Sequence, residues 1–189
     1  MPVPSLLRSK LSIICQIEIR LHLVLTQLAY SPRTTEDCLF LDVVVPEAIF
    51  NARDSGYGAP VLVWIYGGGY TAGSKTDSGN PSGLLARSEN DNSTGVIYVA
   101  MNYRLGAFGW SSGPTFQKNG TANVGLYDQR LALEWVQENI HLFGGDPDRV
   151  TVFGESAGGG SIMHQITVSI CFGITFCGLS SDLHRPTAV

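Results

Sequence analysis

Arg149-Val150-Thr151-Val152-Phe153-Gly154-Glu155-Ser156-Ala157-Gly158 is the stretch that decides the fold. Val150, Thr151 and Val152 are β-branched and, with Phe153, read as a short strand that runs directly into Gly154-x-Ser156-x-Gly158. Glycines two residues either side of a serine, between a strand and a helix-compatible stretch, mark a sharp strand-to-helix turn. Such a turn holds the serine hydroxyl out on a strained backbone. The pentapeptide alone is short enough to arise by chance, and a glycine-rich loop with an exposed serine is the plain alternative. The β-branched run before it and the helix-compatible run after it favour the turn.

Working outward, residues 61–66 (VLVWIY) form a continuous apolar run that breaks at Gly67-Gly68-Gly69. A run of strand length without alternation is what a strand buried on both faces looks like. Residues 95–102 (GVIYVAMN) read the same way, and residues 38–45 (CLFLDVVV) are bounded by Glu36-Asp37 and Pro46. Residues 71–94 are rich in Ser, Gly, Asn and Asp and predict a long loop around a short helix near Leu84-Leu85. Over 124–140 the period changes: Val124, Tyr127, Leu131 and Trp135 recur at helical spacing, predicting a helix with that stripe buried and Asp128, Gln129, Arg130 and Glu138 on other faces. Strands alternating with helices imply an α/β fold with a largely parallel sheet covered on both sides. Residues 1–34 and 167–189 do not share this order and read as atypical flanks of a domain over 35–166.

A chain of 189 residues that is 44% hydrophobic and 15% charged can bury a substantial core. Its net charge of −4 argues against nucleic acid or an anionic membrane surface as the main partner and favours a neutral, small-molecule substrate. No run of about 20 apolar residues spans a membrane, and Gln16, Glu18 and Arg20 interrupt the N-terminal apolar stretch, so no clear signal peptide is read. Cys15, Cys38, Cys171 and Cys177 allow three pairings and show no metal-ligand spacing. The sequons at Asn92 and Asn119 are glycosylation candidates that would suit a secreted protein.

A serine that transfers acyl groups needs donors aimed at the oxygen that becomes negative in the tetrahedral intermediate. The Ala157 amide, just after the serine and at a helix N-terminus, can supply one. Gly67-Gly68-Gly69 at the end of an earlier buried strand can supply others, because glycine lets backbone approach substrate closely; an ordinary β-turn is the alternative.

The residues Glu36-Asp37-Cys38-Leu39-Phe40-Leu41-Asp42-Val43, Trp64-Ile65-Tyr66-Gly67-Gly68-Gly69-Tyr70 and Asn102-Tyr103-Arg104-Leu105-Gly106-Ala107-Phe108-Gly109 resemble the type-B carboxylesterase and lipase family. So do Asn123-Val124-Gly125-Leu126-Tyr127-Asp128-Gln129-Arg130, Phe143-Gly144-Gly145-Asp146-Pro147 and Gly154-Glu155-Ser156-Ala157-Gly158-Gly159, in family order. The resemblance implies an α/β-hydrolase three-layer sandwich with a mostly parallel central sheet, here ending shortly after the nucleophile elbow. It implies Ser156 as nucleophile, the amides of Gly68, Gly69 and Ala157 as oxyanion hole, and no cofactor or metal. Glu155 resembles the family's buried glutamate that supports the site through hydrogen bonds, and Arg104 with Asp128 its internal ion pair. Tyr66 departs from the His-Gly-Gly-Gly form of many members and receives no catalytic role. The family's usual disulfide implies Cys15 paired with Cys38, and family habit favours a secreted protein.

The same resemblance exposes what is absent. The chain order in α/β-hydrolases is serine, acid, histidine, and only 33 residues follow Ser156, whereas the family places the partners well over a hundred residues downstream. His164 falls about 12 Å along the following helix by helical rise and is a poor base. Asp182 and His184 match no family motif, and His22 and His141 read as ordinary surface or core residues. The expectation is therefore an N-terminal fragment of a serine ester hydrolase, inactive alone. The alternatives are an inactive esterase-like binding or adhesion module, which would commonly lose the elbow serine, and a non-functional truncated product.

Overall fold

The apolar runs found above do become strands, and the loop-rich segments between them carry the helices. The computed structural model describes residues 37–90 and 93–169. In chain order they form β1 (Leu41–Val44), α1 (Glu47–Asn51), β2 (Ala59–Ile65), α2 (Ser82–Ser88), β3 (Glu89–Asn90), β4 (Ser93–Thr94), β5 (Ile97–Met101), α3 (Gly106–Trp110), α4 (Val124–Asn139), β6 (Gly145–Gly154) and α5 (Ala157–Ser169). The main sheet has the order β1-β5-β2-β6. β2 runs parallel to both neighbours, while β1 pairs antiparallel with β5. β3 and β4 form a separate two-stranded ribbon.

Strand alternation sorts side chains into two cores, which is why the sequence itself does not alternate. Val61, Val63 and Ile65 of β2, Ile97, Val99 and Met101 of β5, and Val150 and Val152 of β6 pack with Leu133 and Val136 of α4 and Ile162 of α5. On the opposite face Tyr98 and Ala100 meet Leu85 of α2, flanked by Trp64 and Phe153. The sheet is therefore a central layer between helices.

Two expectations are corrected. β6 begins at Gly145 rather than Arg149, because Gly145 pairs with Ala59 before a register shift that resumes at Val61 and Val150; Asp146-Pro147 made that early half unreadable as strand. The predicted buried stripe of α4 is not the buried one: Tyr127 and Leu131 are 58% and 46% exposed, and the helix buries Gly125, Asp128, Gln129, Ala132, Leu133 and Val136. Polar residues turn inward there because each finds a partner. Asp128 pairs with Arg104, and the Gln129 side-chain amide donates to the Ser161 hydroxyl across the α4–α5 contact at 2.9 Å.

Among the described residues no helix is long and apolar enough to cross a membrane. Cys15, Asn92, Cys171, Cys177, His22, Asp182 and His184 lie outside the described residues.

Candidate active site

β6 ends at Gly154 and α5 begins at Ala157, so only Glu155 and Ser156 make the turn. Ser156 is left-handed at φ +53°, a conformation that costs a residue bearing a Cβ roughly 1–3 kcal/mol and persists only where the surroundings enforce it. The enforcement is visible. The Gly158 amide donates to the Glu155 carbonyl at 2.8 Å and the Gly160 amide to that of Ser156 at 3.0 Å. A methyl group at Gly158 would sit 2.0 Å from the Ile65 carbonyl oxygen, and one at Gly154 2.7 Å from the Gly158 carbonyl carbon. The two glycines thus let α5 lie directly against the ends of β2 and β6. The serine side chain, lifted by the turn, is exposed.

Residues 67–69 leave the end of β2 on the same edge of the sheet. A methyl group at Gly67 would lie 3.0 Å from the Ser156 Cβ and 2.7 Å from the Glu155 carbonyl, so this loop and the elbow are in contact. Gly68 and Gly69 adopt φ +99° and +62°, and the Gly68 carbonyl takes the amides of Thr71 and Ala72 at 3.1 and 3.2 Å. That leaves the Gly68 and Gly69 amides without an acceptor among the described residues, in a loop exposed beside Ser156. Ala157 is the first residue of α5, where an amide has no intrahelical acceptor and the helix dipole favours negative charge. The glycine loop, through Gly67, and the serine turn are therefore neighbours.

Glu155 differs from the buried glutamate it resembles: it is exposed, with its carboxylate folded over Gly67. Arg104 and Asp128 form the expected ion pair, bidentate at 2.7 and 2.7 Å, with the Arg104 amide adding a third bond at 3.0 Å. This side-chain hydrogen bonding to Asp128 raises the Arg104 pKa. Cys38 is buried; Asn119 is exposed. His141 and His164 are both exposed, His164 on α5 beyond the elbow, so among the described residues no histidine stands beside Ser156.

Beneath the glycine loop lies a feature the sequence reading did not find. Tyr66 and Tyr103 stack at 4.5 Å between ring centroids, and each hydroxyl donates to the other's carbonyl, Tyr103 to Tyr66 at 2.7 Å and Tyr66 to Tyr103 at 3.3 Å. Burial pushes both phenols well above their ordinary pKa, so they stay neutral donors. Gly67's contact with Ser156 and the Gln129–Ser161 bond were also missed; a polar residue at each of two facing helical positions was the one signal for the latter.

The family model of the carboxylesterase family matches residues 16–171 of the chain. The chain is 60% identical over 143 residues to carboxylesterase patB of Penicillium expansum, covering 72% of this chain and 25% of that protein. It is 47% identical over 140 residues to a secreted lipase of Arthroderma benhamiae (71% and 26%), and 48% identical over 134 residues to an acetylcholinesterase of Danio rerio (70% and 19%). Among solved structures it superposes on a thermophilic PNB esterase with a TM-score of 0.59 at 46% identity, covering 69% of this chain and 25% of that one. The corresponding values for Aspergillus niger EstA are 0.61, 38%, 69% and 24%. The chain spans about a quarter of the length of the curated relatives it matches.

Proposed function

The chain belongs to the carboxylesterase family and has its α/β-hydrolase fold, and from that premise we propose that it carries the nucleophile half of a carboxylic-ester hydrolase. The observation that carries the reading is Ser156 at φ +53° with Gly67 packed against it. Ser156 Oγ attacks the ester carbonyl carbon while its proton passes to a histidine contributed from outside the described residues. The carbonyl oxygen takes the negative charge and accepts hydrogen bonds from the amides of Gly68, Gly69 and Ala157. Collapse breaks the bond to the alkoxy oxygen, which leaves as the alcohol with the histidine's proton; water then repeats the sequence on the acyl-serine. The relatives' names, carboxylesterase, lipase and acetylcholinesterase, share the acyl ester and differ in alcohol and chain, which supports a small-molecule or lipid ester as the substrate class. Glu155 supports the turn from beside Gly67. The 189-residue chain by itself is expected to lack turnover, since no base stands beside the serine among the described residues.

The test is Ser156→Ala in the full-length protein. Loss of a triad nucleophile typically removes on the order of a millionfold in rate, so p-nitrophenyl ester turnover should disappear. Retention of more than about one percent of wild-type activity, where a lost nucleophile should leave far less, would overturn the assignment.

A further inference from the structure

The glycine loop must present two amides at a fixed angle, yet Gly68 and Gly69 have no side chains with which to hold themselves. What holds them lies at both ends of the loop. At its start the Tyr66 carbonyl, which belongs to the peptide group leading into Gly67, accepts the Tyr103 hydroxyl at 2.7 Å. Tyr66 and Tyr103 are 2% and 1% exposed, so water does not compete for that bond. At its end Tyr70, itself at φ +63°, packs on Trp110 at 4.0 Å between centroids, and its carbonyl accepts the Gly106 amide at 2.7 Å. Trp110 meets the Tyr103 ring edge-on at 6.4 Å and donates its indole N–H to the Arg104 carbonyl at 3.0 Å. Arg104 is locked to α4 by Asp128. The segment 103–110 therefore grips both ends of the loop, through one hydroxyl, one backbone amide and one ring.

Resting on the ester-hydrolase reading, we infer that Tyr103 is a positioning residue: its hydroxyl fixes the peptide plane entering the glycine loop, and through it the direction of the oxyanion-hole amides. Tyr103 touches no substrate. Its contribution falls on the transition state, because the ground-state carbonyl depends far less on the direction of those amides than the developing oxyanion does.

The experiment uses Tyr103→Phe, which keeps the ring stack and removes only the donor, with Tyr98→Phe as comparator. Tyr98 is a buried tyrosine on the opposite face of the sheet, remote from the loop. In the full-length protein, kcat for a p-nitrophenyl ester should fall about 10- to 100-fold, in line with a misdirected oxyanion donor, with KM within about twofold. Affinity for an aryl boronic acid, which mimics the tetrahedral state, should fall in parallel. Active-site titration should count the same fraction of competent sites as in wild type. Tyr98→Phe should change none of these. A loss explained by fewer competent sites, an equal loss in Tyr98→Phe, or unchanged boronate affinity would overturn the inference. A second arm reads the loop without activity: amide exchange at Thr71 and Ala72, whose bonds to Gly68 close the loop, should accelerate at least about tenfold in Tyr103→Phe while Val63 and Val99 stay protected. Unchanged exchange there overturns the clamp. If wild type itself hydrolyses no ester, the ester-hydrolase reading fails separately, and this arm alone decides the clamp.

Discussion

Gly158→Ala tests how the elbow is built, and the size of its effect follows from the contacts. The added methyl carbon would lie 2.0 Å from the Ile65 carbonyl oxygen, 2.8 Å from the Ile65 carbonyl carbon and 2.9 Å from the Tyr66 carbonyl oxygen. Real contacts of this kind do not close below 3.0 Å, so the backbones must separate by at least 1.0 Å. β2 cannot yield, since it is paired on both edges with β5 and β6. The N-terminus of α5 moves instead, carrying Ser156 and the Ala157 amide away from the glycine loop. Overpacking of this kind costs about 1–3 kcal/mol, and a misplacement near 1 Å can lower turnover by about 10²-fold. Urea unfolding and p-nitrophenyl ester kinetics of the full-length protein measure the two effects. Gly159→Ala is the comparator: its methyl would meet the Gly154 carbonyl group at ordinary contact distance, 3.4 Å to the oxygen and 3.9 Å to the carbon, so the usual gain of alanine over glycine within a helix, about 0.5–1 kcal/mol, should appear. A Gly158→Ala protein as stable as wild type, with turnover within about twofold of wild type rather than the loss expected from an ångström of displacement, would refute the argument that close helix–strand contact is why this position is glycine.

The left-handed serine gives a second prediction: Ser156→Gly should be about 1 kcal/mol more stable than Ser156→Ala, because only glycine takes φ +53° without strain. Thermal or urea unfolding reads this, and equal stabilities would remove the strain from the account. Asp128→Asn should destabilise by on the order of 2 kcal/mol, less than the 3–5 kcal/mol of a fully buried pair because the Arg104 side chain keeps 20% exposure; a urea midpoint equal to wild type would count against the pair as an anchor.

The legible parts of this protein were those where chemistry is local. A β-branched run read correctly as strand at Val150 to Phe153, and the glycine spacing around Ser156 fixed the turn, because both depend on neighbours in the chain. The α4 stripe was misread because an apolar residue at helical spacing says which side chains share a face, but not which face meets the sheet. Asp128 and Gln129 went inward for partners 24 and 32 positions away in the chain, Arg104 and Ser161, which no window of sequence contains. The tyrosine pair was hidden for the same reason: Tyr66 and Tyr103 are 37 residues apart and meet only once β2 and β5 are side by side. Gly145 was hidden by the opposite effect, a proline just after it that argued locally against a strand the sheet nonetheless accepts.

The central position of β2 also sets a timetable for synthesis. Its partner on one side, β5, follows closely, Leu62 opposite Tyr98, but its partner on the other side is β6, where Leu62 meets Thr151, 89 positions later. Loop-closure entropy must be met before so distant a pairing yields any contact, which makes this the slow step of assembly. A nascent chain halted before β6 holds the glycine loop and both stacked tyrosines, Tyr66 and Tyr103, but not the serine turn that Gly67 packs against. The glycine loop at residues 67–69 is thus laid down well before the serine turn it packs against, and the contact between Gly67 and Ser156 exists only once the last strand of the sheet has been made.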